Sequence, residues 1–131
     1  MPAVKSTIQI EAIHTIGVPV TDPDRAIRFY VDTLGFETRL DVPIGDGKRW
    51  IVVAPPRGTT TIALVAATDH QPASVETGIR LISRDAETDH AALIADGVDA
   101  DPALQWDGVP PMFAFRDQDG NGLEIVQETR S

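Results

Sequence analysis

The 131-residue chain has no cysteine, few aromatic residues and few cations. Without a thiol there is neither a disulfide framework nor a thiolate metal site, so the fold must rest on its apolar core. Eleven Lys and Arg stand against twenty Asp and Glu, giving 11 − 20 = −9, and no window concentrates the cations. Binding to a phosphate backbone would be electrostatically opposed, which excludes nucleic acid as the expected partner. No apolar run approaches the roughly 20 residues of a membrane span. No charged-then-apolar leader opens the chain, so the expectation is a cytoplasmic protein without a membrane partner. The aromatics are Trp50, Trp106, Tyr30, Phe29, Phe36, Phe113 and Phe115.

What is present is a repeat. Residues 8–20, "IQIEAIHTIGVPV", alternate as a strand, with Ile16, Val18 and Val20 on one face. Asp22 then caps a helix with Pro23 at its first position, and Ala26, Ile27, Phe29, Tyr30 and Leu34 follow at helical spacing before Gly35 stops it. Strand candidates follow at about 36–42, at 49–54 ("RWIVVA") and at 60–66 ("TTIALVA"), and residues 67–77 read as a linker. The order then returns. "GIRLIS" at 78–83 is a strand, Asp85 a cap, and 86–97 a helix ended by Gly97. A short segment near 98–104, a proline-rich turn around "WDGVPP", a strand at 112–117, the turn "QDGN" and a strand at 122–126 complete it. The fold class is α+β, one domain of two βαβββ modules at 13–66 and 78–127.

"GVPVTDPDRAIRFYVDTLGF" at 17–36 and "PPMFAFRDQDGNGLEIVQ" at 110–127 resemble the opening and closing signatures of the vicinal oxygen chelate superfamily, which includes glyoxalase I, bleomycin-resistance proteins and extradiol dioxygenases. With the repeat, the resemblance covers roughly residues 13–127. It implies curved mixed sheets forming a cleft, commonly between two chains of a homodimer. It also implies a divalent metal held by His, Glu or Gln from the first and last strand of each module. The family's first ligand lies seven residues before the capping aspartate, which lands on Thr15 and Gly78; the last-strand positions fall on Ala63 and Glu124. Of these four only Glu124 is a strong ligand, so no metal cofactor is expected. His14 lies beside the expected position, but a one-residue offset turns it to the other face of a strand unless a bulge intervenes.

A carboxylate facing a partly closed cleft must be paired, hydrated or protonated. Arg80, on the strand that the resemblance places beside that of Glu124, is the candidate partner, its guanidinium replacing the missing metal charge; a separation beyond about 6 Å without a bridging water would remove the idea. Thr15, Trp50, Trp106, Met112 and Phe113 complete the expected ligand-binding set with Glu124 and Arg80. Trp50 opens a strand, and Trp106 is expected in a loop over the cleft, where flat rings stack on planar ligands. His70 and His90 read as solvated or packing histidines, and Asp117 and Asp119 as turn formers. Three function classes stay open. One is a metal-free protein that binds or sequesters a small planar or aromatic molecule, as in antibiotic resistance. Another is a lyase, isomerase or dioxygenase with Ni, Zn, Mn or Fe on Glu124 and a displaced His14. The last is a metal-free enzyme with Glu124 as catalytic base.

Overall fold

Eight strands and two helices are laid out in two successive units in the computed structural model, which describes residues 6–128. The first unit runs β1 (Thr15–Val20), α1 (Pro23–Ile27) with a π-helical turn (Arg28–Thr33), β2 (Glu37–Gly45), β3 (Lys48–Ala54) and β4 (Thr61–Ala66). The second runs β5 (Glu76–Ser83), α2 (Ala86–Ala95), β6 (Leu104–Trp106), β7 (Val109–Arg116) and β8 (Gly122–Gln127). Each makes a four-stranded mixed sheet of equivalent order, β1-β4-β3-β2 and β5-β8-β7-β6, in which the first and last strands run parallel. The two βαβββ modules expected from the repeat are therefore present.

Local chemistry explains the boundaries. The Asp22 carboxylate accepts from the amides of Asp24 and Arg25, with Pro23 in the first turn; the Asp85 carboxylate accepts from the Thr88 amide. Gly35 and Gly97 end the helical segments at φ +80°, a conformation that favours glycine. Three expectations are corrected. The first strand begins at Thr15 rather than at residue 8, because its partner β4 begins at Thr61, and the pairing extends only through the Thr61 amide on the His14 carbonyl (3.1 Å). The helix expected to run to Leu34 widens after Ile27, with the Leu34 amide reaching back to the Phe29 carbonyl. Pro110 and Pro111 lie within β7 rather than in a turn, near its start, where the β6 pairing is irregular.

Alternation along the strands sorts the residues. Val18, Ile51, Val53, Ile62 and Leu64 of the first sheet, with Ile79, Phe113, Phe115, Leu123 and Ile125 of the second, form one buried cluster with Ala26, Tyr30, Phe36, Ala86 and Leu93. Each fully buried large side chain in it contributes about 1.5–3 kcal/mol. The cluster spans both modules: Phe29 of the first stacks on Phe115 of the second, with ring centroids 6.4 Å apart.

A buried polar network crosses the same boundary. Asp117, Asn121 and Tyr30 are 6%, 0% and 0% exposed. The Asp117 carboxylate accepts from the Tyr30 hydroxyl (2.7 Å), the Asn121 side-chain amide (3.0 Å) and the backbone amides of Asp119 and Asn121. Asn121 also donates to the Pro19 carbonyl in β1 (2.8 Å) and accepts from the Val75 amide. Burial, then the charge of Asp117, holds the Tyr30 phenol well above its ordinary pKa, so it stays a donor. Asp119 accepts from the amide and hydroxyl of Thr21. The acidic turn is thus structural, as its sequence implied.

Two predictions follow from these interactions. Tyr30→Phe leaves a buried carboxylate one donor short and lowers unfolding free energy by about 1.5–3 kcal/mol in urea titration. Asp41, Asp85 and Asp101 are held below the usual carboxylate range by hydrogen bonds from Arg49, Thr88 and Arg116; in Asp119 burial pulls upward but hydrogen bonds from Thr21 and Gln118 outweigh it. Folded values below unfolded ones give stability that is present above the unfolded carboxylate pKa of about 4. The melting temperature is expected to be flat in these groups near neutrality and to fall as pH drops below about 4, measured by calorimetry.

Candidate functional site

The faces of the two sheets turned away from the core carry Arg80, Glu124 and Trp50 of the candidate residues. On the first sheet, Gly17 pairs with Ala63 and Val42 with Trp50. Leu40, Val42 and Ile44 of β2 are exposed, and Trp50 is 37% exposed. On the second sheet the equivalent of Gly17–Ala63 is Arg80–Glu124, and Ala114 lies beside Glu124 on its other flank. The first module has apolar atoms and bare backbone where the second has an ion pair.

That pair is direct. Arg80 Nε donates to Glu124 Oε1 at 2.8 Å, well inside the separation that the sequence argument required. A bulge in β5 brings it about. Between Glu76↔Gly122 and Arg80↔Glu124 the chain advances 80 − 76 = 4 residues against 124 − 122 = 2 on the partner. Thr77 and Gly78 lie in the extra length; the Thr77 hydroxyl holds the Gly122 carbonyl at 2.7 Å and Gly78 takes φ +75°. The side chains are 70% and 39% exposed, so water screens the pair.

The remaining site candidates fall in separate places. The Thr15 hydroxyl donates to the Thr61 carbonyl (3.2 Å), and His14 is exposed with its backbone carbonyl engaged by Thr61. Trp50 lines a pocket of about 300 Å³ with Ile44 and Val65. Trp106 lies on β6 and not in a loop, beside a cavity of about 720 Å³ bounded by Gln105, Val109 and Gln127. Met112 is half-buried, opposite Val126. Phe113 is corrected to the core: it is 1% exposed, with the His90 ring edge-on at 4.9 Å. His90 is accordingly a packing histidine, its Nε2 in hydrogen-bond contact with the Asp101 carbonyl (2.8 Å).

Among the described residues no three His, Cys, Asp or Glu side chains are close enough to share a divalent ion, and the one carboxylate at a family ligand position is bonded to a guanidinium.

The second sheet's edge also borders an open cleft of about 800 Å³ that takes in Arg80, Ile82 and Arg84 from the β5 side, Arg57, Thr59 and Thr60 from the loop before β4, and Thr61 at the start of that strand. Arg57 and Arg84 were not singled out from sequence. The available signal was the alternation Arg80, Ile82, Arg84 facing a "PPRG" turn.

Residues 12–125 match the family described as Glyoxalase/Bleomycin resistance protein/Dioxygenase superfamily. The chain belongs to that superfamily. Among similar superfamily structures is TnmS3, described as an antibiotic binding protein from Streptomyces sp. CB03234: it is 31% identical with a TM-score of 0.82, over 93% of this chain and 99% of that one. A superfamily member from Sphaerobacter thermophilus DSM 20745 is 32% identical with a TM-score of 0.84, over 91% of this chain and 98% of that one. The uncharacterized protein YurT of Bacillus subtilis (strain 168) is 29% identical over 119 residues, 83% of this chain and 93% of that protein. Among the described residues no helix is long and apolar enough to cross a membrane.

An exposed pair of this kind contributes at most about 1 kcal/mol. Glu124→Gln is therefore expected to lower the unfolding free energy from urea titration by less than that amount, with an unchanged denaturant slope, so that any larger effect of the substitution on ligand affinity reports on binding and not on folding.

Proposed function

We propose that the chain is a metal-free small-molecule-binding member of its superfamily, taking up a planar or aromatic compound on the faces of its sheets. The observation that carries this reading is the Arg80–Glu124 pair. A guanidinium bonded to the carboxylate at 2.8 Å opposes a second cation there, and the other three family positions hold Thr15, Gly78 and Ala63. A Lewis-acid centre lacks its donors, whereas apolar surface beside a polar pair suits the recognition of a largely apolar ligand with one or two polar groups.

Further support comes from surface chemistry. Trp50 and Trp106 are both exposed, and each borders a cavity wide enough for a ring to approach. Aromatic faces of this kind stack on flat ligands. TnmS3, similar over nearly the whole chain, is described as antibiotic binding, which makes sequestration of an antibiotic-like aromatic molecule the concrete form of the proposal. Exposed Leu40, Val42 and Ile44 support pairing with a second copy, so the proposed state is a homodimer.

The deciding measurement combines metal analysis with ligand titration. Purified protein is expected to carry no stoichiometric divalent ion and to gain no thermal stability from nickel, zinc, manganese or iron(II). Aromatic antibiotics should raise the melting temperature and quench tryptophan fluorescence, and Trp50→Ala or Trp106→Ala should weaken that binding by about tenfold, an ordinary contribution for one stacked ring. A stoichiometric ion lost on Glu124→Gln would overturn the reading.

A further inference from the structure

We infer that the cleft between β5 and the loop preceding β4 is an anion-recognition site, built for a carboxylate or sulfonate attached to an apolar body. The inference rests on the small-molecule-binding reading and specifies the chemistry of one ligand class. Its starting point is an uneven distribution of charge. In a chain of net charge −9, three of the eleven basic residues, Arg57, Arg80 and Arg84, line one cleft of about 800 Å³. Glu128 is the one carboxylate on the same lining.

Among the described residues the guanidinium groups there are at most partly engaged by the protein. Arg39, Arg49, Arg80 and Arg116 each contact a carboxylate, but among the described residues Arg57 and Arg84 form no ion pair and no side-chain hydrogen bond. Arg80 uses only its Nε, towards Glu124, so both of its terminal amino groups remain available as donors. An arginine fork with two open N–H positions matches the paired oxygens of a carboxylate or sulfonate. Arg80 and Ile82 are both exposed on β5, and Arg84 follows at its end, so the exposed Ile82 side chain lies between two cations along the strand. Ile16, Ile62 and Leu81 add apolar surface. The lining therefore offers fixed positive charge beside a hydrophobic bed.

The opposite wall is held in place. Arg39, anchored by Glu37 at 2.7 Å, donates from one terminal nitrogen to the carbonyls of Pro55 (3.0 Å), Pro56 (3.3 Å) and Gly58 (2.9 Å). The Gly58 amide closes the turn on the Pro55 carbonyl at 2.8 Å. Two prolines and four hydrogen bonds around Arg57 leave its backbone little freedom, which lowers the entropy lost when an anion is clamped. Arg39 is a positioning residue in this arrangement. Because the overall field repels anions, recognition depends on short-range arginine contacts, for which chloride competes directly.

Calorimetric titration of the intact protein with 1-naphthoate and with its uncharged isostere 1-naphthamide tests this directly. Naphthoate is expected to bind at least about tenfold more tightly, and added sodium chloride should weaken the acid and leave the amide unchanged. Arg57→Gln and Arg84→Gln should each reduce naphthoate affinity by about tenfold with naphthamide unaffected; both residues lack intramolecular partners, so melting temperature should be preserved. Equal binding of acid and amide, or a preference that survives the double substitution, overturns the inference while leaving aromatic binding itself intact. Binding of neither compound also overturns it, and tryptophan quenching by aromatic antibiotics then still reports separately on the broader reading.

Discussion

A buried carboxylate has to be satisfied, and the relation between the two modules depends on how Asp117 achieves this. Its oxygens take donors from its own turn, from Asn121 and from the Tyr30 hydroxyl, which belongs to the other module. Asn121 simultaneously holds the end of β1 through the Pro19 carbonyl. Removing any partner leaves charge or polarity without compensation in a dry environment, where the penalty is greatest. The network thus fixes the hairpin before β8 against α1 and β1, and with it the strand that carries Glu124. The π-helical turn serves the same end, presenting Phe29 to Phe115 and the neighbouring Tyr30 to Asp117.

The two halves share an architecture and have diverged in their chemistry. Their capping aspartates, glycine stops and strand orders coincide, yet the ladder position Gly17–Ala63 became Arg80–Glu124 in the second half. The bulge at Thr77–Gly78 has no counterpart in β1, where residues pair one to one from Thr15 to Val20. At that ladder position the second sheet therefore carries an ion pair where the first is uncharged.

Much of this was legible in the residues. Alternation and capping identified both modules, and counting back from Asp22 and Asp85 put the position that the family resemblance implies for a first ligand on Thr15 and Gly78. The Arg80–Glu124 pairing followed once the strand order was inferred. What the sequence concealed was set by tertiary partners. Residues 8–14 alternate like a strand but lack a neighbouring one; Pro110 and Pro111 look like a turn, yet sit where the β6 ladder is irregular; Phe113 has the composition of a cleft residue, but its parity on β7 turns it to the core beside His90. Arg57 was hidden for a different reason: its role depends on the bracing of a turn by Arg39, eighteen residues away.

The outer strand β2 shows how the exposed sheet margin is managed. All nine of its residues are exposed, which for a flat strand would be an invitation to uncontrolled sheet extension. Pro43 removes one amide from that margin, register shifts fall at Thr38/Leu40 and Pro43/Gly45, and Glu37, Arg39 and Asp41 are already engaged in ion pairs. The margin is thereby a poor template for fibre growth by strand addition, whatever covers the apolar face of the strand.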